Sequence, residues 1–279
     1  MIAVTNRMPG QAAPDDFEHY LSGRALYGDA FDATRIAEWS ADEQEGYAEL
    51  GAKDRAAYRY GYRALNAFHG FRHLSGLALN QVLGFGGAHG EELLPIIRLA
   101  KSVTIVEPSL AFFKTSLHGV PAKYIRPAPS GQLLLKDDSF DLITCFGVLH
   151  HIPNVSFVFS ELARVLKPGA YLLLREPIVS LGDWRLARRG LTKRERGIPF
   201  AIMGRIVEAS GLKIIRQALC GFPLTALLSK VTGRSAYNSA LATRIDALLS
   251  AAFSWNVNYH PRNALQRLRP TSVFLILRK

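Results

Sequence analysis

Beyond residue 80, short apolar runs alternate with longer stretches in which apolar residues recur every three to four positions. Runs near 81–85, 102–107, 122–127, 140–146, 169–175, 212–219 and 271–278 have the length and composition of strands. Ile198–Ser210 keeps the helical spacing and stops at Gly211, a usual helix terminator. Strands and helices in alternation build a mainly parallel sheet with helices on both faces, so the predicted class is α/β, doubly wound. Asp15–Gly76 is helical in character and comes before the first strand. Gly221–Pro270 separates the last two strands and carries two amphipathic segments, Leu224–Val231 and Leu241–Phe253. The expected organisation is a helical extension over 1–76 and one domain over 77–279 with an insertion at 221–270.

The stretch Q-V-L-G-F-G-G-A-H-G-E-E-L-L-P-I-I-R-L-A-K-S-V-T-I-V-E, Gln81–Glu107, predicts strand, glycine turn, helix and second strand. Gly84, Gly86, Gly87 and Gly90 let the backbone turn sharply and come close to a ligand. Glu107 ends the second strand, where a carboxylate can accept from both hydroxyls of a ribose. A nicotinamide or flavin fingerprint would need glycine at position 89, which is histidine.

Composition sets the compartment and the surface. The 279 residues are 48% hydrophobic, enough for one large core. No apolar run of about 18 residues occurs and the first ten residues lack a signal-peptide core, so a cytoplasmic protein is expected. Both cysteines, Cys145 and Cys220, fall in apolar strands and are expected to be structural. The net charge of +11 is uneven: residues 1–75 hold 8 basic and 11 acidic side chains, the remainder 26 and 12. A basic surface admits nucleic acid or an anionic small molecule.

Three segments carry a family resemblance. V-L-G-F-G-G-A-H-G resembles the first motif of class I S-adenosylmethionine-dependent methyltransferases, with Gly86 and Gly90 at family glycine positions, Ala88 at the middle one and Gly84 where the family has an acid. L-L-L-K-D-D-S-F-D-L-I-T-C-F-G-V-L-H-H-I-P-N is similar to the third and fourth motifs, and E-L-A-R-V-L-K-P-G-A-Y-L-L-L-R-E-P to the helix and strand that follow. The resemblance runs from about Gln81 to Leu212 and resumes at the final strand. It implies a seven-stranded Rossmann-like sheet of order 3-2-1-4-5-7-6 with the last strand antiparallel, an N-terminal helical cap, S-adenosylmethionine as cofactor and no metal. By the same resemblance the cofactor would meet Gly84, Phe85, Gly86, Gly87, Gly90, Glu107, Pro108 and Phe146. Ser130, beside Pro129, would replace the acid that relatives turn to the adenine amine.

Methyl transfer needs positioning and, for a hydroxyl acceptor, removal of a proton. His150 and His151 follow the fourth strand and suit a general base, and Glu176 follows the fifth; packing histidines would read the same way. Seven basic residues lie between Arg175 and Arg196. Arg175, Trp184, Arg185 and Arg188 are candidates to grip an anionic small molecule or glycan precursor, the alternative being a solvated basic face. C-F-G-V at the fourth strand end differs from the N-P-P-Y type used on extruded bases, so nucleic acid is disfavoured. A methyltransferase-fold binding protein without activity and an RNA-directed enzyme remain the other readings.

Overall fold

The computed structural model describes residues 14–51, 59–74, 76–184, 186, 188 and 190–279. In chain order the elements are α1 (Pro14–Leu21), α2 (Ala33–Gly51), α3 (Arg63–His69), β1 (Leu79–Phe85), β2 (Ala100–Val106), β3 (Ser116–Leu117), β4 (Val120–Ile125), β5 (Phe140–Phe146), α4 (Val155–Val165), β6 (Leu166–Pro177), α5 (Phe200–Ala209), β7 (Lys213–Cys220), α6 (Pro223–Thr232), α7 (Ala240–Ala252) and β8 (Ser272–Arg278). One sheet runs in the order β3, β4, β2, β1, β5, β6, β8, β7. β4, β2, β1, β5 and β6 are parallel, and β8 runs antiparallel to both β6 and β7.

All seven expected strands therefore stand in the expected order. The eighth is a two-residue edge strand: His118 and Gly119, both at positive φ, turn the chain from Leu117 to Val120. Two positive-φ turn residues match the right-handed strand twist.

Alternation along the strands divides the core. Leu172, Leu174, Val273, Leu275 and Leu277 face α4 and α5, whereas Leu173, Phe274 and Ile276 face Leu65 of α3 and the Phe71–His73 turn. Val155, Val158, Phe159 and Leu162 put the apolar stripe of α4 on the first of these faces. The helix predicted after the glycine turn is absent, replaced by 3-10 turns at Glu91–Leu93 and Ile97–Leu99. Pro95 explains the break, since its ring lacks the N–H that would bond Glu91 and would collide with that carbonyl. Among the described residues no helix is long and apolar enough to cross a membrane.

Candidate active site

The glycine turn is locked from two sides. Gly86 has φ 71°, and a Cβ there would overlap Val148 from the next crossover. Glu107 accepts from the backbone N–H of Ala88 at 3.0 Å and of Ser109 at 3.1 Å, which ties the turn to the end of β2. Burial raises the pKa of Glu107, and those two hydrogen bonds offset only part of the effect. A carboxylate has about four acceptor sites, so two are left for further donors.

Gly84 and Gly87 have a different neighbour. A Cβ on Gly87 would lie 2.5 Å, and one on Gly84 3.1 Å, from Oε1 of Glu92. The two glycines thus make room for a buried carboxyl group supplied by the 3-10 turn. Burial, reinforced by the nearby Glu107 and Glu91, pushes the Glu92 pKa up to about 8. Nothing in the pattern marked Glu92, because it sat in a predicted helix where acids are ordinarily solvated.

At the carboxyl ends of β1, β2 and β5 lies a cavity of about 750 Å³. This is toward the upper end of the roughly 300–1,000 Å³ usual for ligand pockets. Phe85, Gly86, Val106, Glu107 and Pro108 form one wall, Pro127–Pro129 and Gly131 another, and Gly147, Val148 and His151 the floor. Trp39, Ser40 and Glu43 of α2 close over it. Asn154, also in the lining, donates from Nδ2 to the Ser130 carbonyl at 2.9 Å, which leaves its buried Oδ1 without a hydrogen-bond partner.

Beneath the floor is a histidine–carboxylate network. Glu176 accepts from the backbone N–H groups of Val148 and Leu149 at 2.7 and 2.9 Å and from Nδ1 of His150 at 2.8 Å. Nε2 of His150 faces Glu195 at 3.4 Å. Burial alone would depress the His150 pKa, but bonds to Glu176 and Glu195 outweigh it and lift it to about 9. For Glu195 burial is likewise outweighed, by His150 first, and the pKa falls to about 2. His150 is therefore an imidazolium held between two carboxylates near neutral pH.

His151 is its opposite. Burial, followed by the charge on His150, lowers its pKa, so the ring facing the cavity is neutral. Its Nδ1 lies 3.1 Å from Glu43, which also accepts from Thr192 at 2.8 Å. Trp39 donates from its indole to the His151 carbonyl at 2.7 Å. Arg196, fully buried, donates to the carbonyls of Tyr27, His150, Ile152 and Pro153 and so fixes the loop that carries both histidines.

The remaining candidates lie elsewhere. Phe146 packs against Phe71 and Phe274 on the other face of the sheet. Gly90 abuts Leu117, and Ser130 meets the cavity only through the Asn154 bond to its carbonyl. Arg175 is buried, donates to Asn66 at 2.7 Å and stacks 3.8 Å over Tyr62. Trp184 sits among Phe17 and Tyr27. Arg188 donates to the carbonyls of Leu181, Thr192 and Lys193. Arg185 falls outside the described residues.

Residues 83–174 match the methyltransferase domain family. Among curated proteins, the ubiquinone biosynthesis O-methyltransferase of Xanthomonas oryzae pv. oryzae is 31% identical over 103 residues, 35% of this chain and 43% of that protein. That of Hahella chejuensis is 39% identical over 54 residues, 19% and 23% of the two chains. The matched segment thus spans less than half of these relatives. A methyltransferase from Bacillus halodurans shares the fold at a TM-score of 0.51 and 15% identity, covering 75% of this chain and 96% of that one. A SAM-dependent methyltransferase from Leishmania major does so at 0.51 and 13%, covering 88% and 82%. The motif order, the sheet topology and the pocket at the strand ends all agree with the methyltransferase domain that residues 83–174 resemble.

Proposed function

We propose that the protein transfers a methyl group from S-adenosylmethionine to an oxygen of a small polar acceptor, with His151 as general base. The observation that carries this reading is one cavity reaching from Glu107 and the glycine turn to a neutral, carboxylate-oriented histidine. The residues fit the cofactor. Glu107 has acceptor capacity left for the ribose hydroxyls, Gly86 lines the same cavity, and the unpartnered Oδ1 of Asn154 suits the adenine amine in place of Ser130.

When bound, S-adenosylmethionine supplies a methyl group that is already electrophilic. The chain has to place the acceptor in line and take its proton. Glu43 holds Nδ1 of His151, which directs Nε2 to receive that proton, and burial, aided by the His150 cation, keeps the ring neutral beforehand. The O-methyltransferase activity for which the curated relatives are named supports an oxygen acceptor. An anionic acceptor or glycan precursor stays compatible, but Arg175, Arg188 and Arg196 spend their guanidinium groups on protein acceptors.

Calorimetry with S-adenosylmethionine tests the reading. The native chain should bind, and Glu107→Ala should bind at least about tenfold more weakly, since each hydrogen bond to a charged group contributes about 1.5–3 kcal/mol. No binding by the native chain overturns the methyl-transfer proposal, whereas unchanged affinity in the variant removes only Glu107 from the site.

A further inference from the structure

The insertion before β8 folds inside out. On α6, Leu224, Leu227, Leu228 and Val231 recur at the spacing of one helix face, and all are exposed. Its buried residue is Thr225. On α7, which packs against α6, Leu241, Ile245 and Leu248 are exposed in the same way, while Thr243, Asp246 and Ser250 are buried. Asp246 explains the inversion: it accepts from the backbone N–H groups of Gly221 and Phe222 at 2.9 and 2.8 Å and bonds Thr225, so the polar side faces inward to cap the end of β7. Trp255, 68% exposed, follows α7 directly and stacks on Phe253 at its end.

A pair of outward-facing apolar rows is uncommon on an isolated soluble chain and marks a contact surface. Charge identifies what it contacts. Between Gly221 and Pro270 there are six basic side chains and a single acid, the buried Asp246. Lys230 on α6, Arg234 just after it and Arg244 on α7 are exposed on the same elements as the apolar rows. Two copies of this face would bring like charges together with no acid from the segment to pair them. A bilayer with anionic headgroups offers both halves of the complement, hydrocarbon for the leucines and negative charge for the rim. We propose that α6, α7 and the turn at Trp255 form a peripheral docking surface for an anionic membrane, separate from the methyl-transfer cavity and independent of its assignment.

The test is co-sedimentation of the full chain with vesicles of equal parts phosphatidylglycerol and phosphatidylcholine, and with phosphatidylcholine alone. The native chain should pellet with the anionic vesicles and be largely released as salt is raised. Leu227→Glu with Val231→Glu should lower the bound fraction at a given lipid concentration by roughly tenfold or more, because both apolar contacts are lost and charge repulsion is added. Since both side chains are exposed, the melting temperature of the variant should stay near that of the native chain. Equal binding by native and variant would overturn the proposal and assign any association to net charge alone. A native dimer converted to monomer by the same substitutions would also overturn it, giving the face to a second copy.

Discussion

At the scale of single residues, two adjacent histidines differ in protonation state: burial opposes the charge on both, but the close bonds to Glu176 and Glu195 outweigh it at His150, whereas at His151 burial and the neighbouring His150 charge prevail. His150 lies between Glu176 and Glu195, whereas His151 leans on Glu43 beside that cation. Their substitutions should differ accordingly. His151→Gln should lower turnover by roughly 100-fold while leaving cofactor affinity within a factor of two, the usual size of a general-base effect. In the native enzyme, activity should rise with pH through a midpoint below the ordinary histidine value of 6.5, then level off. His150→Gln should instead cost about 3–5 kcal/mol in denaturant unfolding, the usual consequence of stranding buried charge. Near-native turnover in His151→Gln would remove proton transfer from the mechanism. The L-H-H sequence made both rings visible as candidates, but it could not distinguish them, because Glu43 and Glu195 are more than forty positions away in the chain and look like ordinary surface acids.

Among elements, strands were far more legible than the segments between them. The five apolar residues Val273–Leu277, or the largely apolar Phe140–Phe146, have few alternatives to a buried strand, and the glycines after β1 mark a turn wherever the chain goes next. What failed was the helix after that turn, where apolar spacing over Leu93–Leu99 suggested a helix that Pro95 forbids. The amphipathic periods of α6 and α7 were likewise readable, but periodicity gives no sign to a face, and the buried Asp246 reversed it. The glycine turn offers a test at this level. Gly87→Ala should destabilise the protein by about 1–3 kcal/mol through overlap with Glu92. Combining it with Glu92→Ala should recover a substantial part of the loss, as measured by thermal or denaturant unfolding. A strictly additive double variant would mean that the turn, and not the carboxyl packed against it, demands glycine.

For the whole molecule, the buried titrating groups set a pH window of stability. Glu92 and His150 both have folded-state pKa values above their ordinary ones, about 8 and about 9. Their contributions are full below the unfolded values of 4.5 and 6.5, and are lost as pH rises through 8 and 9. Glu195 is shifted the other way, to about 2, so its contribution is present above 4.5 and lost as pH falls through 2. Melting temperature should therefore be highest near pH 4.5 and decline from there to about pH 9, most steeply between about 6.5 and 8, where both groups contribute. Glu92→Gln should flatten the lower part of that decline, and an unchanged profile would mean that Glu92 is solvated.

The three tryptophans are divided among three environments. Trp39 is in the cavity wall with its indole bonded to the His151 carbonyl, Trp184 is packed among Phe17 and Tyr27, and Trp255 is exposed just after α7. Intrinsic fluorescence of the unlabelled chain thus reports on two events separately. A ligand entering the cavity alters the surroundings of Trp39 and leaves Trp255 in water, whereas contact with a bilayer shifts Trp255 emission to the blue and shields it from aqueous quenchers. Trp184 contributes a constant background to both.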